Sequence, residues 1–415
     1  MTEALTEEWG LRALSGSGFF VLLGVAWLCS TARRAIDWRA IAWGVAVQFA
    51  LALLLLGTRV GGIVFAAAEI AIGRLLSYTN AGTAFVFGPL LDSGFSFALG
   101  VLPVIIFMGS VFGTLYYLGW VQPIVRGLAR VLSKTLRVSG AESLAAVANI
   151  FMGMTESGLV VRPYLASMTR SELFTFMTLG MSTIAGSVLV AYAQILGEAG
   201  FGGHLVVASL ISAPAGLVVA KLMIPETETP ETMGVLPELA AATSGNLIDA
   251  AAEGGLAGLR LALNVGALLV AFVALVALLN DFFGWLGGLL GWPDLTLQAA
   301  LGLLCAPLAF VMGIPWDEAR QVGALIGIKT VLNEFLAYQG LAEAIAAGSI
   351  SERSAVISAY ALCGFANFGS LAILLGGIEG LAPQRRPEAA ALGLRSILAG
   401  TLATCMTGCL AGLIL

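Results

Sequence analysis

The sequence predicts an all-α polytopic membrane protein: eight transmembrane helices plus two opposed re-entrant helical hairpins in an inverted repeat, with interfacial helices. Three observations predict it. The chain of 415 residues is 59% hydrophobic and only 11% charged, whereas soluble domains are ~25% charged. Its apolar stretches are long and helical, not the ~10-residue alternating strands of a barrel. Two of them are interrupted and carry carboxylates where a membrane protein does not place them cheaply. The 52 glycines fit close helix packing and broken helices. A net charge of −5 argues against a nucleic-acid partner.

Spans of ~20 apolar residues fall at 13–31, 40–57, 97–118, 172–196, 203–222, 260–280, 354–378 and 389–414. Shorter or interrupted runs at 60–91, 122–136, 142–166, 283–315 and 318–347 are broken by glycine, proline or charge, and read as interfacial helices or re-entrant hairpins. Arg33, Arg34 and Arg39 lie between the first two spans, and Arg126, Arg130, Lys134 and Arg137 follow the third. Arg162 and Arg170 precede the fourth, Lys221 ends the fifth, and Arg385 and Arg386 separate the last two. The positive-inside rule puts this face in the cytoplasm and both termini outside, with Arg59, Arg74, Arg320 and Arg353 as exceptions. Pro225 to Pro237 form the one clear polar linker, a cytoplasmic loop. After it comes an amphipathic stretch with Asp249 and Glu253 on one face, read as an interfacial helix.

An internal echo supplies the architecture. In the first half an interrupted hairpin carries Glu156, a polar link follows (Thr169 to Glu172), and the next span breaks at Ala185-Gly186-Ser187. In the second half a hairpin carries Asn333-Glu334, a polar link follows (Ser351 to Ser354), and the next span breaks at Asn367-Phe368-Gly369-Ser370. The charge pattern makes the first hairpin enter from inside and the second from outside. Opposed entry is the arrangement in which transporters place their site at mid-membrane.

Glu156 and Glu334 are the two carboxylates expected at bilayer depth. A charge there costs at least ~2.5–3.5 kcal/mol and marks a substrate or ion pathway, the competing reading being a helix-terminal acid near the interface. Asn367 and Ser370, at i,i+3, would share one helix face with a donor and acceptor set suited to a polyhydroxylated, uncharged solute. Interhelical hydrogen bonding is their alternative role. Asn149, Ser182 and Thr183 point to a cation site of hard oxygen ligands completed by unwound carbonyls. Back-bonding of the hydroxyls within the helix competes with it. Cys29, Cys305, Cys363, Cys405 and Cys409 lie in apolar stretches without CxxC spacing and read as inert thiols. His204, the single histidine, reads as an interfacial residue. The acidic first residues give no signal-peptide pattern. No GxSxG, HExxH or P-loop motif is present, so an enzyme is not expected, and neither ATP-driven transport nor hydrolysis has support.

GMTES with LVVRPYLASMTRSELF, then IKTVLNEFLAY, then ALCGFANFGSLAILLGG, in this order and spacing, resembles the concentrative nucleoside transporter family. The likeness extends over nearly the whole chain, including RRAIDWR, MIPETE and IDAAAEGGLAGLRLALNVGA. It implies a bacterial member of a homotrimeric family of membrane carriers. These take up nucleosides by sodium or proton symport with an elevator-like movement of the hairpin-containing body. It also implies site residues. Met154, Thr155, Glu156 and Val188 would face the nucleobase; Glu334, Asn367 and Ser370 would bind the ribose hydroxyls, with Phe365 nearby. Asn149, the carbonyl of Met152, Thr183 and the carbonyl of Ile184 would hold sodium. Two positions depart from the pattern: Met154 stands where relatives often carry glutamine, and Gly158 where they carry proline.

The expected division is therefore 1–95 as N-terminal scaffold helices and interfacial segment, and 96–222 as the first repeat with its hairpin at 142–166. A cytoplasmic loop and interfacial helix fill 223–258, and 259–415 forms the second repeat with its hairpin at 318–347. The expected function is sodium-coupled symport of uridine-like nucleosides across the cytoplasmic (inner) membrane, with Na⁺ as coupling ion and no other cofactor. Proton coupling is the alternative, disfavoured because Asn149 and Thr183 retain cation-binding chemistry. A channel for small polar solutes is the remote one, since it gives no reason for two opposed hairpins.

Overall fold

The computed structural model describes residues 2–93, 96–197, 200–236, 244–292 and 295–415, and every regular element among them is helical. The N-terminal helices are α1 (Thr2–Leu28), α2 (Trp38–Gly57) and α3 (Arg59–Phe87), followed by α4 (Phe97–Gly100) and α5 (Leu102–Tyr117), which form one span. Helix α6 (Val121–Leu136) buries Val121, Val125 and Ala129 on one face and carries Arg126, Arg130 and Lys134 elsewhere on its surface, the pattern of a helix lying in an interface.

The first hairpin is α7 (Gly140–Met152), α8 (Met154–Val160) and the short α9 (Arg162–Leu165). Its first arm starts in a capping box, with Ser139 and Glu142 satisfying each other's backbone N–H groups. It ends at Gly153, whose φ of 92° and ψ of 172° lie in a region that only glycine occupies without strain. A second capping box, Thr169 with Glu172, starts α10 (Arg170–Ser182), which breaks before α11 (Gly186–Leu196). Helix α12 (Phe201–Met223) closes the repeat. The second repeat follows α13 (Leu247–Leu290) and α14 (Leu297–Val311), which turns by 116° into α15 (Trp316–Val331). Helices α15 and α16 (Glu334–Ala346) make the second hairpin. A broken pair, α17 (Glu352–Leu362) and α18 (Phe368–Leu381), and a closing helix, α19 (Arg386–Ile414), complete it.

The repeats interlock about α12 and α19. Helix α10 packs on both, and so does α17. The apolar windows of α12 and α19 are 83% buried and that of α10–α11 is 89%, against 6% for α13, so the broken helices sit at the centre of the bundle. Helix α13 instead packs along α5, where Gly109 and Gly113 oppose Gly254 and Gly258. A methyl on Gly254 would lie 2.3 Å from the Gly109 carbonyl oxygen, so this small-xxx-small seam sets the helix separation.

The hairpins enter from opposite faces. At the base of the first, Lys221 pairs with Glu142 at 2.5 Å, Arg385 donates to the carbonyl of Ala166 (3.1 Å), and Thr31 N–H donates to the carbonyl of Met223 (2.9 Å). This face therefore gathers the basic loops. At the opposite face Arg12 donates to the Leu415 carbonyl (2.8 Å), Ser15 to the Met312 carbonyl (2.8 Å), and Ser351, at the base of the second hairpin, to Glu318 (2.9 Å). The two termini thus share the face away from the basic loops.

Four details differ from the sequence reading. Residues 59–87 form one continuous helix despite four glycines, and α3 joins the eight helices among the described residues that are long and apolar enough to span. Phe65, Glu69 and Ile72, one face of α3, all meet residues 202–204: Glu69 accepts the Gly203 N–H at 2.7 Å and the Phe65 and His204 rings stand 4.8 Å apart. About two turns of α3 thus meet three residues, so α3 crosses the N-terminal end of α12. The 354–378 stretch breaks into two helices as its sequence indicates, but the break falls at 363–367, ahead of the expected Asn367–Ser370. The amphipathic stretch after the polar linker is continuous with the long apolar α13, so it is not a separate interfacial helix. Pro237 lies outside the described residues. Finally, α1 packs along α19 and α2 along α12, through small residues such as Gly412, which faces Ser15, and Gly44, which faces Val218. That packing ties both helices to the repeat body and leaves α3, α5 and α13 at its margin.

Candidate solute and cation sites

The second hairpin builds the more completely bonded site. Asn333 caps α16, its side chain accepting the Leu336 N–H at 3.0 Å, so Glu334 begins the helix. A carboxylate at a helix N-terminus is favoured by the unpaired N–H groups and the helix dipole. Glu334 is buried, and its two oxygens accept from Tyr192 Oη (2.8 Å) and Asn367 Nδ2 (2.7 Å). Tyr192 comes from α11 of the first repeat and Asn367 from the break of the second. Asn367 is itself a cap: its Oδ1 accepts the Ser370 N–H at 2.7 Å, which leaves its amide group for Glu334. Phe365 and Ser370 are buried on either side of Asn367. Tyr192 is fixed by Tyr338, stacked at 4.7 Å, and by the edge of Phe335 at 4.8 Å. Sequence reasoning missed Tyr192, although it lies one helical turn beyond Val188 on the same face.

At the first hairpin, Met154 is the buried first residue of α8, packed so tightly on α10 that a methyl on Gly180 would lie 3.1 Å from its Cβ. Val188 is buried near the start of α11. The side chain of Thr155 lies outside the described residues. Glu156 is half-buried in the first turn of α8 and folds back over the tip, where a methyl on Gly153 would be 3.0 Å from its Oε2. It lines a cavity of about 600 Å³ together with Phe151, Met152 and Ser187 on one side and Phe112, Tyr116 and Glu253 on the other. The cavity therefore separates the hairpin body from the α5–α13 pair. Gly158 allows α8 to approach α18, since a methyl there would be 2.9 Å from Leu381 Cδ1.

Beside this tip the structure brings Asn149 and Thr183 together. Asn149 Nδ2 donates to the Leu179 carbonyl (2.8 Å) and to Thr183 Oγ1, and its Oδ1 accepts from Ser157 at 3.4 Å. Thr183 ends α10 in extended backbone, and Ile184 in the break has its carbonyl 3.5 Å from Ser209 Oγ. Met152 is the last residue of α7, so its carbonyl is one of those a helix end leaves without an intrahelical partner. Met152, Thr183 and Ile184 thus stand at the C-terminal, negative ends of α7 and α10, beside the Asn149–Thr183 contact. The hydroxyls of Ser182 and Thr183 both bond the Leu179 carbonyl, at 3.4 Å and 3.1 Å, the back-bonded role that competed in the sequence, and Ser182 also presses on Gly216 of α12.

All five thiols are free. His204 is held between Phe65 and Phe201, with Nδ1 3.3 Å from Tyr360 Oη.

Oppositely inserted hairpins, two broken helices crossing at the centre, a buried carboxylate and an oxygen cluster at helix ends define a secondary solute transporter of the inverted-repeat type, not an enzyme. More narrowly, the chain belongs to the Na⁺-dependent nucleoside transporter family. Residues 17–90 match that family's N-terminal part, 98–199 a gate described as "nucleoside recognition", and 204–412 the C-terminal part. It is 46% identical to an uncharacterized transporter of Bacillus subtilis, YutK, over 98% of both chains. It is 38% identical to sodium/nucleoside cotransporter 1 of Rattus norvegicus, covering 97% of this chain and 64% of that one. The structure of CNTnw in an inward-facing substrate-bound state superimposes with a TM-score of 0.91 at 43% identity, over 97% of this chain and 98% of the other. CNTnw has also been solved outward-facing, and one such variant matches with a TM-score of 0.93.

Proposed function

We propose that this protein drives nucleoside uptake across the cytoplasmic membrane with a sodium gradient, by an elevator-like movement. The observation that carries this reading is Glu334, buried and bonded by both Tyr192 and Asn367. A carboxylate accepts from hydroxyl donors with charge-assisted bonds, roughly twice as strong as neutral ones. The ribose hydroxyls of a nucleoside are such donors, and Asn367, Ser370 and Phe365 complete that end. Met154, Thr155, Glu156 and Val188 form the base end. Na⁺ is held by Asn149 Oδ1, Thr183 Oγ1 and the carbonyls of Met152 and Ile184. It neutralises two helix ends beside the hairpin tip and so favours the closed tip that faces the base.

The elevator reading draws on the cavity, which lies where a moving body would slide past α5 and α13. That cavity is lined by the first hairpin and the start of α13, on the side of the basic loops. By the positive-inside rule this side is the cytoplasm and both termini lie outside. The exposed apolar surface of α13 faces lipid and, in a homotrimer, neighbouring protomers.

Uridine uptake into proteoliposomes, driven either by an inward sodium gradient or by a proton gradient without sodium, tests the coupling. Uptake with sodium alone is the expected result. Uptake driven only by protons would replace sodium with the proton and leave the fold untouched.

A further inference from the structure

The inverted repeat makes a comparison possible at the one strongly basic group buried near the solute site. Lys329 lies on the first arm of the second hairpin, fully buried, and its Nζ donates to the Ala361 carbonyl (2.8 Å) and to Thr404 Oγ1 (2.9 Å). Among the described residues it makes no ion pair at contact distance. A buried ammonium held by neutral oxygens alone is expensive and calls for a reason.

The two hairpins align on the residue that opens each second arm, Met154 in the first and Glu334 in the second. In that register the residue five positions upstream is Asn149 in the first repeat and Lys329 in the second. The partners correspond as well. Asn149 Nδ2 donates to Leu179, whose carbonyl lies in the last turn of α10; Lys329 Nζ donates to Ala361, in the last turn of α17. Each broken helix thus presents the carbonyls of its first half to the arm of its own hairpin, and those carbonyls are the negative end of a helix dipole. In the first repeat a neutral amide reaches them and leaves room for a mobile ion. In the second the amine of a lysine does.

We propose that Lys329 is the tethered counterpart of the coupling ion. It supplies, in the second repeat, the positive charge that Na⁺ supplies in the first, and holds the second hairpin against α17 and α19. Lys329 and Glu334 flank the same hairpin tip, five residues apart, so Lys329 is a positioning residue for the ribose end. Nucleoside affinity then depends on one exchangeable cation and one fixed one. This rests on the sodium site proposed above.

The test uses the full-length protein in nanodiscs, with uridine as the probe and sodium titrated against choline. In Lys329→Met, uridine affinity at saturating sodium should fall by about 10-fold or more, as when a buried charge loses its compensation. The thermal shift produced by sodium alone should stay at its wild-type size, and Lys329→Arg should bind uridine within about 3-fold of wild type, because it keeps the charge. Uridine affinity within about 3-fold of wild type in Lys329→Met would overturn the proposal. So would equal losses of uridine binding and of the sodium shift, which mark a general collapse of the bundle.

A thermal-unfolding cycle of Lys329→Met, Glu334→Gln and the double variant needs neither ligand. A double variant with a higher Tm than Lys329→Met supports the pairing, and additive losses refute it. If the wild type shows no sodium-dependent binding or shift, the sodium site itself is wrong, and the cycle still decides whether Lys329 compensates Glu334.

Discussion

The two hairpins share a plan and differ in how they neutralise charge. In the first, a glycine tip carries a half-buried Glu156 that lines a cavity, with Asn149 and Thr183 bonded to each other nearby. In the second, the tip is an asparagine cap, the carboxylate is buried and doubly bonded, and a buried lysine lies five residues before it, on the other arm. In the reading proposed above, the first end takes an exchangeable ion and the second holds a fixed one. That difference suits a symporter, because only one of the two ends then reports the presence of sodium. By linkage, whatever sodium adds to nucleoside affinity the nucleoside must add to sodium affinity.

The comparison breaks most readily at Glu334. Glu334→Gln removes the charge and leaves Tyr192 and Asn367 with a weaker partner, so uridine affinity should drop by about 100-fold or more in equilibrium binding. A variant that still bound like wild type would remove the second hairpin from the site. Asn149→Ala is next. It should raise the sodium concentration for half-maximal uptake by about 10-fold while leaving uptake at saturating sodium largely intact, since one ligand of several is lost. An unchanged sodium curve would show that the oxygen cluster is a structural hydrogen-bond network only.

Gly153→Ala probes the tip alone. The strained backbone costs about 1–3 kcal/mol, and the new methyl would stand 3.0 Å from both Ala185 Cβ and Glu156 Oε2, so Tm should fall measurably in a thermal-shift assay. The same substitution at an exposed glycine with open space, such as Gly10, should not change it. The smallest effect is expected at Met154→Gln. Restoring an amide to the base end should strengthen uridine binding by about 3- to 10-fold, roughly one hydrogen bond. It should leave ribose discrimination, measured with deoxyribonucleosides, unchanged.

Much of this was legible in the chain. Capping residues, a glycine between apolar arms and polar breaks announced both hairpins, and the basic loops announced their opposed entry. The side-chain pairs at the centre were less accessible. Tyr192 reads as an ordinary aromatic on a buried helix until the second hairpin is folded against it. Lys329 sits in an apolar run with nothing in its own neighbourhood to mark its contacts with Ala361 and Thr404. Ser182 and Thr183 are adjacent hydroxyls of one helix end, and only the turn of the backbone sends one toward Asn149 and the other toward α12. Span membership failed for a different reason. The glycines and charges of 60–91 read as interruptions, yet they leave α3 as one continuous apolar helix long enough to span, and only the folded α3 shows that packing absorbs them.

The most direct test of the account is the affinity of the wild-type protein for uridine, 2′,3′-dideoxyuridine and uracil, measured by equilibrium binding across a sodium titration. Uridine affinity should rise with sodium. Dideoxyuridine and uracil should bind far more weakly at every sodium concentration, because neither offers hydroxyls to Glu334. Equal affinity for uridine and dideoxyuridine, or a uridine affinity indifferent to sodium, would contradict it.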